Sequence, residues 1–489
     1  MSGALTHRAS RAQQPDPRRW LALALLAIAD FVVILDATIV NLALPSIGSD
    51  LHASTGALSW VISAYVLAFG GLLLLGGRLA DLFGRRRLFI GGLVLFGLSS
   101  LAGGFAGSIE ALVLFRALQG VGAAALAPAA RSIVTVIFEE GPERSKALSI
   151  WAAVAGSGSV VGLILGGVLT SALSWQWVLW VNVPITVATA VLAPRVIPES
   201  RADTQNRSVD VAGAVLVSGG LVAALYALVS ANTAGWASAQ TIGLIGLGAA
   251  LLALFVRVES RVAAPLVPLG IFRNRQVRGA NVAMVLMAAA MVGTFFILTL
   301  YQQQITHASA LQTGLLQLPL GLVLITVAGV AGSFTERVGA KPVLLAGLGL
   351  FTAGVAWLSR VPVHSTYLID LLGPTVLVGA GLGLGFVALT IASASGVTGA
   401  HAGVAGGLIN MTQQVGGAIG LAIIAAVATG AVHTAAPTAT VVDHGFQHAL
   451  VVAAVIAALA GLVTMVALPG RRARRTLAES PAVAEVAGA

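Results

Sequence analysis

The sequence predicts an all-α membrane protein in which fourteen transmembrane helices form two six-helix bundles with two further helices inserted between them. Three observations predict it. Of the 489 residues, 57% are apolar and 9% are charged, against roughly 25% charged in soluble domains. Apolar stretches close to the ~20 residues that cross a bilayer recur along the whole chain. The Lys and Arg residues collect in alternate gaps between those stretches, as cytoplasmic retention of cations requires.

Taken in order, the first six stretches cover residues 20–45, 57–77, 88–106, 109–137, 147–172 and 177–194. Two more follow at 209–230 and 240–257, and a last six at 279–301, 311–334, 342–359, 368–395, 403–432 and 448–468. All but three of the 27 Lys and Arg residues lie in the two tails or in the even-numbered gaps and at their margins, Arg257 closing the eighth stretch; the three are Arg116 and Arg131 inside the fourth stretch and Arg360 in an outward-facing gap. Both termini are therefore expected in the cytoplasm, and the 25 Arg against 2 Lys point to a GC-rich bacterial genome and hence to a bacterial inner membrane. The expected organisation is a tail over 1–19, a six-helix bundle over 20–198, the inserted pair with its linkers over 199–278, a second bundle over 279–468 and a tail over 469–489. The net charge of +9 sits in short gaps, so no nucleic-acid partner is expected, and the absence of Cys excludes disulfide and thiolate chemistry. A monomer embedded in the lipid bilayer, without metal or cofactor, is the expected form.

The gap after the second stretch reads GRLADLFGRR from Gly77 to Arg86, and the gap after the tenth reads GSFTERVGAK from Gly332 to Lys341. Glycine, acid, glycine and cation recur at the same offsets: Gly77, Asp81, Gly84 and Arg86 against Gly332, Glu336, Gly339 and Lys341. The repeat is displaced by eight stretches rather than six, which predicts two parallel halves separated by two added helices.

These residues resemble the major facilitator superfamily, and within it the fourteen-helix drug:proton antiporters. Gly77 to Arg86 is similar to the superfamily's cytoplasmic loop motif, with Leu82 in place of a basic residue. LDATIVNLALP, from Leu35 to Pro45, resembles the first-helix motif of the fourteen-helix group. Leu112, Arg116, Gln119, Gly120 and Gly122 follow the fourth-helix motif. Gly158, Gly162, Gly166 and Gly167 follow the fifth-helix antiporter motif, with Leu163 where that motif has proline. The resemblance implies an alternating-access transporter that exports hydrophobic or cationic small molecules, such as drugs or antibiotics, with protons as the coupling ion. Proton-coupled import and lipid or glycolipid export are compatible with the same fold.

Ionisable groups in hydrocarbon cost several kcal/mol unless they face a cavity or a partner. Asp30 and Asp36 are six residues apart on the first helix, about 9 Å in rise and roughly 120° in rotation, so they face different ways. Asp36 and Arg116 reach comparable depth, where they can pair or exchange a proton through water, with Asp36 as the main proton site and Asp30 and Arg116 as further coupling residues. Ile34, Ala37 and Asn41 share the strip of Asp30. Asn41, Gln119, Asn410, Gln413 and Gln414 are candidate substrate contacts, and Phe295, Phe296 and Tyr301 offer aromatic surface. Arg131 is expected to snorkel to the headgroups, and Glu110, Asp210 and Asp370 to act as caps or surface groups. Gly158, Gly162 and Gly166 form a strip suited to a moving joint. The loop residues Gly77, Asp81, Gly84, Arg85 and Arg86, with Glu336, Arg337 and Gly339 in the repeat, are expected to gate the cytoplasmic face. No phosphate-binding loop or hydrolase motif is present, so an ion gradient is the expected drive and the chain is not expected to be an enzyme. A membrane potential supplies ~2.3 kcal/mol per charge per 100 mV, which is adequate for efflux.

Overall fold

A computed structural model describes residues 18–138, 142–200, 210–262, 265–394, 399–430 and 439–469. The tail cations Arg8, Arg11 and Arg471 to Arg475, and the linker cations Arg201 and Arg207, lie outside the described residues.

Inside lipid a backbone must satisfy its own hydrogen bonds, and helices do so within one segment. The described residues contain helices and no strand. In chain order these are α1 (Arg19–Asp50), α2 (Thr55–Phe83), α3 (Arg85–Gly103), α4 (Ile109–Ile137), α5 (Pro142–Ala172), α6 (Trp177–Val196), α7 (Val211–Ala234) and α8 (Ala239–Glu259). They continue as α9 (Arg275–Ile305), α10 (Ala310–Val338), α11 (Ala340–Leu358), α12 (Tyr367–Ser393), α13 (Gly399–Gly430) and α14 (Ala439–Ala467). Twelve of them are long and apolar enough to cross a bilayer; α5 and α7 contribute shorter apolar stretches, Ser157–Ala172 and Ala212–Leu228, among the described residues.

Short polar residues start the helices. Ser54, Ser108, Ser238 and Ser309 each accept a backbone N–H from the first turn of α2, α4, α8 and α10, and Gln312 completes a capping box with Ser309. Asp210 caps α7 by accepting from Gly213 N at 2.6 Å, and Asp370 accepts from Thr366 N at 2.7 Å, so both serve at helix ends as the sequence suggests.

The loop motif is more helical than the sequence reading has it. Helix α2 runs through Gly77 and Asp81 to Phe83, and Gly84 alone separates it from α3. Gly84 carries the reversal at φ 107°, and Gly339 repeats it at φ 96° between α10 and α11. Gly77 makes no turn; it lies within α2.

The packing of α1–α6 recurs eight helices later. Helix α1 packs on α5 and α6, α2 on α4, and α3 on α4 and α6; likewise α9 packs on α13 and α14, α10 on α12, and α11 on α12 and α14. Missing side chains set the close crossings. A Cβ on Gly92 of α3 would meet Gly122 O of α4 at 2.8 Å, and a Cβ on Gly347 of α11 would meet Gly381 O of α12 at 2.8 Å. Gly158, Gly162 and Gly166 of α5 face Phe31, Thr38 and Ile39 of α1, and in the repeat Gly416 and Gly420 of α13 face Val285 and Ala289 of α9.

The two sets meet along α2 against α13 and α5 against α10. Gly167 of α5 abuts Leu311 and Ala310 of α10, and Gln414 of α13 packs against Gly70 of α2. Two hydrogen bonds cross between the sets at the end opposite the cationic turns: Gln303 Nε2 donates to Leu42 O at 3.0 Å, and Leu311 N to Ser171 Oγ at 3.1 Å. Helix α7 lies over the α2–α13 seam, and α8 packs chiefly on α7 and leaves most of its apolar surface exposed.

Candidate functional site

Asp36, in the middle of α1, has no exposed surface, and Arg116 of α4 is 1% exposed. The two groups form an ion pair, Arg116 Nη1 to Asp36 Oδ2, at 2.5 Å. Two buried charges are tolerated when their remaining hydrogen-bonding capacity is also met. Here Asp36 Oδ1 accepts from Gln119 Nε2 at 3.0 Å and from Asn182 Nδ2 at 2.8 Å. Arg116 also donates to Gln119 Oε1 at 2.8 Å and, through Nε, to Val61 O of α2 at 3.1 Å. Its guanidinium lies 4.4 Å from the centroid of the Tyr65 ring, a cation–π contact in a desolvated setting.

Ser100 of α3 closes the network. Its hydroxyl accepts from Gln119 at 3.0 Å and Asn182 at 3.1 Å and donates to Leu179 O at 2.8 Å. Five helices, α1, α2, α3, α4 and α6, therefore converge on one carboxylate. The motif residues Asp36, Arg116 and Gln119 are brought together by the structure. Asn182, Ser100 and Tyr65 were missed by the sequence reading, although Asn182 stands as a lone amide in an otherwise apolar start to α6, and such an isolated polar group in a span signals a partner.

Asp30 is separate from this network. It shares a strip of α1 with Ile34, Ala37 and Asn41; Ala37 is exposed and the other three are half-buried. The strip turns away from Asp36 by the helical rotation expected for six residues. Arg131 does not snorkel. Its guanidinium stacks 5.4 Å from the Trp151 ring centroid of α5, and its Nη1 lies beside Gly406 of α13, so it points into the bundle.

Several candidate substrate contacts are corrected by burial. Gln119 is buried and its amide is used by Asp36, Arg116 and Ser100. Phe296 is fully buried packing, and Phe295 is half-buried against the core. Tyr301 is 5% exposed on a π-helical turn, Tyr301–Ile305, and its hydroxyl donates to Pro362 O at 2.6 Å and meets Ser365 Oγ at 2.8 Å. Asn41, Asn410, Gln413 and Gln414 are half-buried.

At the cationic end, Arg85 bonds Asp81 Oδ1 through Nε (3.2 Å) and Nη2 (2.9 Å), one turn apart in sequence. Arg86 reaches across to α6: its backbone N donates to Glu199 Oε1 at 3.1 Å and its Nη1 to Ile197 O at 3.1 Å. A cation on the final carbonyls of a helix complements its dipole. The repeat does the same with Lys341, whose Nζ donates to Met465 O at 2.6 Å and Leu468 O at 2.8 Å at the end of α14. Glu199 was missed by the sequence reading. Glu336 and Arg337 are exposed, so in the second set it is the glycine and the final cation that do the structural work.

A model of the Major Facilitator Superfamily matches residues 26–421. The chain belongs to the major facilitator superfamily. Membership makes it a membrane transporter acting on small molecules, and not an enzyme. Similar superfamily chains include the puromycin resistance protein of Streptomyces alboniger, 40% identical over 470 residues that cover 94% of this chain and 93% of that one. The cephamycin export protein of Amycolatopsis lactamdurans is 42% identical, covering 87% and 88%. Among solved structures, the nucleoside transporter NupG (TM-score 0.66, 13% identity, covering 92% and 100%) and the inward-open xylose transporter XylE of E. coli (TM-score 0.61, 13% identity, covering 92% and 97%) share the major facilitator fold.

Proposed function

We propose that this superfamily member exports hydrophobic or cationic small molecules, antibiotics among them, in exchange for protons. All of α1–α14 cross the inner membrane in this reading, with both termini cytoplasmic, in the manner of the fourteen-helix drug:proton antiporters, and the protein works as a monomer. The observation that carries the proposal is the Asp36–Arg116 pair, a charge pair buried inside one set of helices in a chain that is similar to resistance and export proteins.

The two six-helix halves, α1–α6 and α9–α14, rock about the α2–α13 and α5–α10 seams. In the state described, the hydrogen bonds Gln303–Leu42 and Leu311–Ser171 join the halves at the end opposite the cationic turns, and the α2–α13 seam joins them as well. Asp36 is sealed in this state, and the opposite state opens it to water so that it exchanges its partner for a proton. Asp30, on the strip with Asn41, is the carboxyl that meets a cationic substrate in the space between the halves. The Asp81–Arg85 and Arg86–Glu199 contacts hold the cationic end in one arrangement at a time, and the glycine strips let α5 and α13 move with α1 and α9.

Everted vesicles with an acid interior test the reading against a panel that includes puromycin, a cephamycin and a cationic dye. The expected result is accumulation that collapses when a protonophore removes the gradient. Accumulation indifferent to the gradient overturns proton coupling, and movement in the opposite direction overturns export.

A further inference from the structure

The last helix carries a buried acid outside every motif. Asp443, in the second turn of α14, is 2% exposed. Its Oδ2 accepts from Gln447 Nε2 at 2.9 Å, and its Oδ1 has no hydrogen-bond partner. No Lys, Arg or His lies within ion-pair distance of it among the described residues. It lines a narrow void between α9, α11, α12 and α14, together with Tyr301, Leu358, Leu371, Phe446 and Gln447. A buried carboxylate without a cation beside it carries an uncompensated charge, which is expensive unless the group takes up a proton or a cation.

The donor set decides between those occupants. An alkali or alkaline-earth cation needs about six oxygen ligands or more. Around Asp443 the oxygens are few: the Tyr301 hydroxyl is committed to Pro362 O and Ser365, Val361 O is taken by Gln447 at 3.0 Å, and the rest of the lining is apolar. The void has room for a single water and not for a substrate of drug size. We propose that Asp443 is a proton-binding site of the second helix set, separate from the Asp36–Arg116 pair, loaded from water at the end opposite the cationic turns. The proton leaves a hydronium ion and forms an O–H bond at Oδ1, and the water left behind occupies the void.

Its surroundings give loading a consequence. Gln447 Nε2 bridges Asp443 Oδ2 and Val361 O, and Tyr301 binds Pro362 O and Ser365, so both groups grip the same α11–α12 connection. The ionisable groups around this region are Tyr301 on α9, Asp370 on α12, the exposed His444 on α14 and, beside Val361 in the α11–α12 connection, the exposed Arg360, which makes no ion pair with Asp443. A proton on Asp443 removes a negative charge from beside Tyr301 and leaves the Gln447 bridge intact, which holds the connection between α11 and α12 in place.

Infrared titration of the purified protein reads this directly through the C=O stretch of a protonated carboxyl. At neutral pH the wild type is expected to show a carboxylic acid band that D443N lacks and D36N retains. Identical wild-type and D443N spectra overturn the site. Q447L keeps the acid and removes its donor, so the band is expected to move to higher frequency; an unmoved band overturns the assigned geometry, and this arm stands even where D443N does not fold. The band is independent of transport, so failure of export in vesicles and failure of this proposal are told apart.

Discussion

Replacing Asp36 with Asn abolishes pH-driven export and destabilises the fold together. Removing one member of a buried pair leaves the other uncompensated, at a cost of about 3–5 kcal/mol. In this protein the stranded group is Arg116, which retains Gln119, Val61 O and the Tyr65 ring but no anion. The double variant D36N/R116Q separates the two effects. With both charges gone, the amides of Gln119 and Asn182 still have acceptors, and much of the lost stability returns. Export does not return, because no group is left to exchange a proton for a partner. Thermal melting in detergent beside vesicle export checks this. Export by a folded D36N removes Asp36 from the mechanism, and a double variant no more stable than D36N shows that the pair is not the source of the stability.

The second large effect comes from the α1–α5 joint. A Cβ on Gly162 would lie 2.9 Å from Thr38 Cβ and 3.3 Å from Leu35 O, and a leucine places three more carbons beyond it. Overpacking of this kind costs about 1–3 kcal/mol. Leu35 and Thr38 flank Asp36, so pushing α1 away from α5 also strains the pair with Arg116. Gly162→Leu is therefore expected to cut export roughly tenfold to a hundredfold, in line with 1.36 kcal/mol per decade. Ile164, 40% exposed on the lipid side of the same helix, is the control; Ile164→Leu is expected to leave export unchanged. Equal export by the two variants discounts α5 as a joint.

The architecture was legible where it rests on solvent preference. Apolar stretches and cation placement located the helices, because bilayer thickness and charge retention act on each segment alone. The displaced repeat from Gly77 and Gly332 anticipated the recurring helix pairing, since like sequences pack alike. The site was legible in part. Asp36 and Arg116 stand out because charges in hydrocarbon are rare, and matching depth is readable from helix rise. Asn182 and Ser100 are uncharged, cost little alone, and acquire meaning only when α3 and α6 are placed beside α1. The direction of a side chain is set by its neighbours, which is why Arg131 was read as reaching headgroups and instead stacks on Trp151. For the same reason Phe296 and Tyr301 were read as ligand surface and are core. Asp443 went unnoticed because its position sits in no motif, and the apolar enclosure around it comes from four separate helices.

Substrate-triggered proton release from the purified protein tests the central claim most directly. Puromycin, or whichever compound the vesicle panel selects, is added to the protein in weakly buffered detergent, and the pH is followed with a dye. Wild type is expected to release protons in proportion to bound substrate, and D36N to bind without release. Equal release from D36N and wild type contradicts the assignment of proton exchange to the Asp36–Arg116 pair.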